Sequence, residues 1–466
     1  MTMDLGGLSF DEAEREIYSS IVARNPEHDF EPTLDRVLEA CALLGDPQHA
    51  YRVIHITGTN GKTSTARMAE SLVREHGLRT GLFTSPHLTT VRERIQIDGE
   101  PIDQESFIRL WLDVAPIINL VDESSRAAGG PRLSFFEVFT VLAFAAFADA
   151  PVDVAVIEVG MGGSWDSTNV ADGDVAVIGP VAMDHAQWLG DTIADIAAEK
   201  AGIIKDGAVA VVAEQTEVAE EVIAAAAEGR GATVLWEGEE QQFEVIDRQP
   251  GVGGQLLSLR TPAATYVDVF VPLYGAHQAH NALLALVAVE ALLADGGAAR
   301  ALDPTTIEAG LGSVTSPGRL EAVRTSPMII VDAAHNPHGV DALTAALGES
   351  FAFQSLVGVV GILADKDAEG ILAGLEPVLD HVVVTNVSSP RSLPAQSLAT
   401  IASGIFGEDR VSVAESLPDA IDAATSIAER EHDMGGGVLI VGSVLLVAEA
   451  RTILGADRRK GSGRAR

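Results

Sequence analysis

The chain has 466 residues, too many for one ordinary hydrophobic core, so two domains are expected. Hydrophobic residues make up 47%, with glycine and alanine scattered among them, which excludes a disordered chain. A formal net charge of −36 excludes non-specific nucleic-acid binding and repels anionic ligands, so any phosphate or carboxylate site must gather its own cations.

Residues 1–16 are acidic and lack the basic start and apolar run of a signal peptide. The first 50 residues read as helical, with Pro32 near a helix start. Cys41 is the single cysteine, so it cannot form an internal disulfide, which fits a reducing cytosol. A β-like run, Arg52 to Thr57, leads into a glycine loop, Gly58 to Gly61, and a helix from about Thr63 to His76. Ala66, Ala69, Leu72 and Val73 fall at helical spacing there, and Gly77 is the stop. A strand over Gly81 to Thr84 ends at Ser85-Pro86-His87. The apolar runs Val152 to Val159 and Val175 to Ile178 lack period-two alternation, which predicts a parallel sheet covered on both faces. Phe243 to Val271 does alternate and is broken by Pro250-Gly251 and Gly253-Gly254, which predicts a β-hairpin insertion. A long helix over about His277 to Leu293 closes this half.

After Ser316-Pro317-Gly318 the pattern restarts, with strand-like runs at Met328 to Val331, Leu356 to Gly361, His381 to Thr385, Arg410 to Val413 and Val438 to Val441. Helical stretches separate them, as in a doubly wound α/β unit. The expected division is therefore 1–315 and 316–466. No apolar stretch reaches the roughly 18 residues that a membrane span needs. Lysine is scarce, limited to Lys62, Lys200, Lys205, Lys366 and Lys460, and the basic tail 458–466 reads as a solvated end.

Three stretches carry chemistry. In Ile56 to Ser64 (ITGTNGKTS), set between strand and helix, the glycines let backbone N–H groups face an anion, and Lys62 can reach the β and γ phosphates. The full GxxxxGK[ST] spacing would need glycine at position 56, where Ile56 stands, so this is a shortened phosphate loop or a glycine turn with no ligand. Glu158 ends an apolar run, where open α/β sheets bind ligands, and Gly160 to Gly163 allow close approach behind it. Glu158 with a serine hydroxyl suits Mg²⁺; His185 is a weaker candidate, which taken alone reads more readily as a hydrogen-bonded loop histidine. Lys200, in a helix begun near Thr192, either snorkels to solvent or is buried and loses its proton.

Taken together, Gly58 to Lys62, Thr84 to His87, Glu158-Val159-Gly160, Asp184-His185, Glu199 to Gly202, Pro317-Gly318-Arg319 and Asp332 to Pro337 resemble folylpolyglutamate synthase/dihydrofolate synthase, of the Mur-ligase-like superfamily. The resemblance spans about residues 20 to 450, in order. It implies an α/β fold of two domains: an N-terminal phosphate-loop ATPase domain with a parallel sheet and a smaller C-terminal Rossmann-like domain. It implies a cytoplasmic, monomeric ligase joining L-glutamate to dihydropteroate or a reduced folate through an acyl phosphate. ATP would lie against Gly58, Thr59, Asn60, Gly61, Lys62, Thr63 and Ser64, with Asn281, Arg319 and Asp332. One Mg²⁺ would be held by Ser85, Glu158 and His185, and a second would involve Lys200 as a carbamate. The pterin and aminobenzoate would lie near Ser134, Phe135, Phe136, Glu137, Trp165, Asp166 and Ser167, and His335 near the phosphates or the incoming glutamate. Phe135, Phe136 and Trp165 suit stacking on a flat ring; Phe135 and Phe136 equally suit core packing.

Three positions depart from the family pattern. Lys62 is followed by Thr63, where folate enzymes usually have glycine; Ser164 stands where an arginine is usual; and Ala333 replaces a usual glycine. Two other readings stay open, a peptidoglycan-precursor amino-acid ligase with the same chemistry and a phosphate-loop ATPase that transfers nothing to a carboxylate.

Overall fold

The computed structural model describes residues 9–24, 32–238, 240–294, 299–431 and 435–456. The first eight residues and the basic tail, Lys460 included, lie outside the described residues. The chain divides into two compact units, one of residues 1–248, 256–271 and 279–314 and one of residues 249–255, 272–278 and 315–466.

The first unit opens on α1 (Phe10–Val22) and α2 (Asp35–Leu43), then alternates. β1 (Arg52–Thr57), α3 (Lys62–Glu75), β2 (Thr80–Phe83), β3 (Ile95–Ile97), β4 (Glu100–Pro101), α4 (Gln104–Ala127), α5 (Phe135–Asp149) and β5 (Val154–Glu158) are followed by β6 (Val175–Ile178), α6 (Ala186–Leu189), α7 (Ile193–Ala201), β7 (Val209–Val212), α8 (Glu217–Gly229) and β8 (Thr233–Trp236). These strands form one sheet in the order β4-β3-β2-β5-β1-β6-β7-β8, parallel from β2 to β8, with β3 and β4 antiparallel at one edge. Every residue of β2, β5 and β6 is buried, as the unbroken apolar runs require of a sheet covered on both faces. Phe107, Phe139, Phe144 and Phe147 of α4 and α5 pack one face; Ile196, Ile203, Ile223 and Ala227 pack the other.

The register pairs Ile56 with Glu158 and Thr57 with Ile178, so β5 and β6 flank β1 and their carboxyl ends finish level with it. The loops after these three strands therefore share one edge of the sheet, where ligands bind in this architecture.

The alternating stretch is three strands, β9 (Glu244–Gly251), β10 (Gly254–Arg260) and β11 (Thr265–Val271), in the order β11-β10-β9. Pro250-Gly251, expected to break the pattern, lies inside β9, and the turn is Val252-Gly253. An edge strand tolerates proline because the missing N–H would face outward. α9 (Ala276–Leu292) and α10 (Pro304–Gly312) follow.

The later half builds β12 (Glu321–Thr325), β13 (Met328–Val331), α11 (Pro337–Ser350), β14 (Ser355–Val360), α12 (Ala368–Leu375), β15 (His381–Val384), α13 (Ala395–Phe406), β16 (Val411–Val413), α14 (Leu417–Glu431), β17 (Gly436–Val441) and α15 (Val444–Ile453). Its sheet runs β12-β13-β17-β14-β15-β16, parallel except for the antiparallel edge strand β12. The sequence did not announce β12, whose half-buried EAVRT carries no continuous apolar run. No described helix is long and apolar enough to cross a membrane.

Candidate active site

The loop between β1 and α3 is shaped by Gly61, whose φ of 83° caps the helix in the left-handed region that glycine alone adopts freely. A Cβ at this position would also strike the side chain of Asn281 from α9. The helix starts at Lys62, so its first N–H groups line the loop and favour an anion there. Thr59 ties the loop to the β6 side: its hydroxyl donates to the Ala182 carbonyl at 3.0 Å and accepts from the Ala182 N–H at 2.9 Å.

Two lysines meet on one oxygen. Lys62 Nζ donates to the carbonyls of Gly58 at 2.9 Å and Thr59 at 3.2 Å, and Lys200 Nζ donates to the same Gly58 carbonyl at 3.0 Å. Lys200 is 3% exposed, so its snorkelling to solvent is ruled out. Burial, then the neighbouring Lys62 charge, pushes the Lys200 ammonium down from its ordinary 10.5 to about 7, against the opposing pull of Asp184, Asp166 and Glu199.

Glu158, 2% exposed at the end of β5, faces that loop. Its Oε1 accepts from the Thr63 hydroxyl at 2.8 Å and its Oε2 from the Ser85 N–H at 3.1 Å. Thr63, where the family pattern has glycine, thus adds a hydroxyl beside the carboxylate. His185 has a φ of 52°, is partly open, and its Nε2 lies 3.9 Å from Asp184 Oδ2. Among the described residues no three His, Cys, Asp or Glu side chains converge as a metal-binding group, so a hard cation here would draw on hydroxyls and water as well.

The loop after β5 folds back on α7. A Cβ on Gly163 would lie 2.6 Å from the Glu199 carbonyl. Ser164 donates to that carbonyl from its N–H at 2.9 Å and its hydroxyl at 3.0 Å, and Trp165 N–H reaches Glu199 Oε1 at 3.3 Å. The residue that departs from the family arginine therefore pins the glycine loop to the helix carrying Lys200. Asp166 and Ser167 are buried: Asp166 accepts from the Met161 and Thr168 N–H groups, and the Ser167 and Thr140 hydroxyls lie 2.7 Å apart.

Ser134 and Glu137 form the capping box that starts α5, and Glu137 also takes Arg36 at 3.0 Å. Phe135 and Phe136 are half-buried and packed on the core, Phe135 against Phe139 and Tyr18, Phe136 against Phe83. The sequence reading missed Arg94. It is 6% exposed, its guanidinium lies 5.0 Å from the Phe135 ring centre, and its Nε donates to His87 Nδ1 at 2.9 Å. Burial lowers its pKa to about 10 and, with the Arg94 charge, that of His87 to about 4. Nothing in TVRERI distinguishes a buried arginine from the exposed kind.

In the second unit, Asp332 directly follows β13. It accepts from the Leu320 N–H at 2.7 Å and the Ala334 N–H at 2.8 Å; burial raises its pKa, and Arg319 opposes the rise. His335 Nδ1 lies 2.9 Å from the Ala333 carbonyl, and Asn336 caps α11 through the Gly339 N–H. Arg319, Asp332 and His335 thus gather at one end of this sheet.

Residues 119–289 match the Mur ligase middle domain, and residues 318–444 match the Mur ligase glutamate ligase domain. The dihydrofolate synthase/folylpolyglutamate synthase of Mycobacterium tuberculosis is 50% identical over 93% of this chain and 92% of its own. The crystal structure of M. tuberculosis folylpolyglutamate synthase complexed with ADP and AMPPCP superposes with a TM-score of 0.90 at 47% identity, over 96% of this chain and 99% of that one. E. coli FolC in complex with DHPP and ADP superposes at 0.80 with 28% identity, over 95% and 98%.

Proposed function

The chain belongs to the dihydrofolate synthase/folylpolyglutamate synthase family of ATP-dependent Mur ligases, and on that premise we propose that it joins L-glutamate to both dihydropteroate and reduced folates. A carboxylate does not condense with an amine near neutral pH, because oxide would have to leave. Transfer of the ATP γ-phosphoryl group to the carboxylate turns that oxygen into part of a phosphate, which does leave when the glutamate amine attacks the acyl carbon.

The loop Gly58 to Ser64 binds the phosphates, with Lys62 moving from the Gly58 and Thr59 carbonyls onto them. Asn281, Arg319 and Asp332 are assigned to the nucleotide, and His335 to the phosphates or the incoming glutamate. Ser85, Glu158 and His185 are the residues that would hold one Mg²⁺. The buried Glu158 carboxylate beside the Thr63 hydroxyl is an oxygen-rich donor set that suits it. Those residues would hold a cation that would supply charge neutralisation during phosphoryl transfer. Lys200 as a carbamate would attract a second Mg²⁺ where an ammonium would repel it. Ser134 to Glu137 and Trp165 to Ser167 are assigned to the pterin and aminobenzoate side. The large negative charge argues against nucleic acid, and a cytoplasmic monomer is the state we assign.

The observation that carries this reading is the Gly58 carbonyl shared by Lys62 and Lys200, one strand away from the Thr63–Glu158 pair. It brings together at one sheet edge the two lysines to which we assign phosphate binding and the carbamate. The test is phosphate release from ATP in the presence of dihydropteroate and glutamate. Release that continues when either is omitted would refute a ligase.

A further inference from the structure

Behind the glycine loop lies a chain of buried hydrogen bonds that reaches Asp166 from two residues with no assigned role, His55 and Thr168. His55, in the middle of β1, is fully buried, and its Nε2 lies 2.8 Å from the Thr168 hydroxyl oxygen. That hydroxyl lies 2.5 Å from Asp166 Oδ1, which also accepts the Thr168 N–H at 3.0 Å; Asp166 Oδ2 accepts the Met161 N–H at 2.9 Å. The proton positions follow from chemistry. Burial raises the Asp166 pKa and the hydrogen bonds it accepts from Thr168 and Met161 oppose the rise; the Thr168 hydroxyl is the donor to Oδ1. The Thr168 oxygen then accepts from His55, whose proton sits on Nε2.

The other ring nitrogen, Nδ1, is buried with no partner among the described residues, and burial drives the His55 pKa down to about 3. A neutral imidazole with an unpaired buried nitrogen is a destabilising occupant of a strand interior, where an apolar side chain would do better. What it contributes is direction: it fixes the Thr168 hydroxyl, which fixes Asp166, which closes Gly160 to Gly163 and so places Trp165. Asn169 fastens the other end of the turn, donating to the carbonyls of Ser164 at 2.9 Å and Gly202 at 3.1 Å.

We infer that His55 and Thr168 are positioning residues for the pterin end of the substrate, acting through Asp166 on the glycine loop and Trp165. This rests on the proposed placement of the pterin beside Trp165 to Ser167. The experiment measures KM for dihydropteroate and for ATP in Thr168→Val, His55→Phe, His55→Gln and Trp165→Ala. Thr168→Val keeps the volume and removes the relay, so it is informative even where His55→Phe does not fold. Thr168→Val and His55→Phe should raise the dihydropteroate KM about tenfold, as loss of an orienting partner does, with the ATP KM unchanged. His55→Gln, which keeps a donor near Nε2, should restore most of the loss. A Thr168→Val enzyme that behaves as wild type, or whose two KM values rise together, overturns the inference while a raised dihydropteroate KM in Trp165→Ala leaves the pterin placement standing. A Trp165→Ala enzyme with an unchanged dihydropteroate KM overturns the placement and the inference with it.

Discussion

Two ammonium groups on one carbonyl oxygen are an arrangement that charge opposes, and the Lys62–Gly58–Lys200 contact resolves it by making one of them readily neutral. Lys200 gives way because it is the buried one, with a pKa near 7. Its free amine can attack CO₂, lose a proton and become an anion that no longer repels Lys62 or a cation. Lys200→Ala should therefore be nearly inactive and partly rescued by added acetate, and mass analysis of active, metal-loaded wild type should find the added CO₂. A free amine in that active protein would sink the carbamate. Lys62→Ala tests the other partner. Its ammonium donates to the Gly58 and Thr59 carbonyls of the loop, so circular dichroism should match wild type while ATP turnover falls by several kcal/mol of transition-state stabilisation. The loop, Glu158 and Lys62 stood out in the sequence because each follows an apolar strand run at a fixed spacing, and Lys200 because it lies among apolar residues of a helix. His55 and Arg94 did not, because a buried histidine or arginine acquires its meaning from partners 113 residues away, as with Thr168, or from a ring it stacks on, as with Phe135.

At the scale of the element, helix α9 holds a carboxylate in the core. Glu290 is fully buried, accepts the Thr261 hydroxyl at 3.0 Å and the Tyr266 hydroxyl at 2.6 Å on Oε1, and has no partner for Oε2 among the described residues. Burial lifts its pKa from 4.5 to about 7, although both hydrogen bonds oppose the rise. Between those values the folded protein keeps a proton that the unfolded chain has lost, so stability falls as pH rises through that window. Glu290→Gln keeps the acceptor and removes the titration. Its melting temperature should exceed that of wild type at pH 8, by an amount reflecting up to about 3 kcal/mol, and the gap should close towards pH 5. A gap that is the same at both pH values would refute the assignment. The elements themselves were legible wherever burial was uniform: β1, β6 and β13 fall where the apolar runs place them. Two stretches at sheet edges were not legible, although the edge strand β16 was. β12 and the end of β9 are half-solvated, so neither shows a continuous run, and the proline that reads as a breaker inside a sheet is harmless at its margin.

For the molecule as a whole, the question is how one site serves two substrates. One phosphate loop means one place for phosphoryl transfer, yet dihydropteroate presents a carboxylate on its benzoate and a reduced folate presents one a glutamate further out. The pterin cannot sit in one fixed position if both carboxylates are to reach the same phosphoryl group. Ring stacking suits that demand better than a set of directional hydrogen bonds, because a flat face tolerates sliding. The polar side chains in the region assigned to the pterin engage the protein itself: Ser134 with Glu137, Glu137 with Arg36, Asp166 with Thr168, Ser167 with Thr140. Phe135, Phe136 and Trp165, all partly open, are left as the adaptable surface. The purified protein should therefore make dihydrofolate from dihydropteroate, glutamate and ATP, and should also extend a tetrahydrofolate by one glutamate. Each pterin should inhibit the other's reaction competitively, since they share one acceptor position, and Trp165→Ala should raise the KM for both more than for ATP. If only the folate reacts, the synthase half of the proposal fails and the polyglutamate half stands; if both react without competing, the single shared acceptor position is wrong.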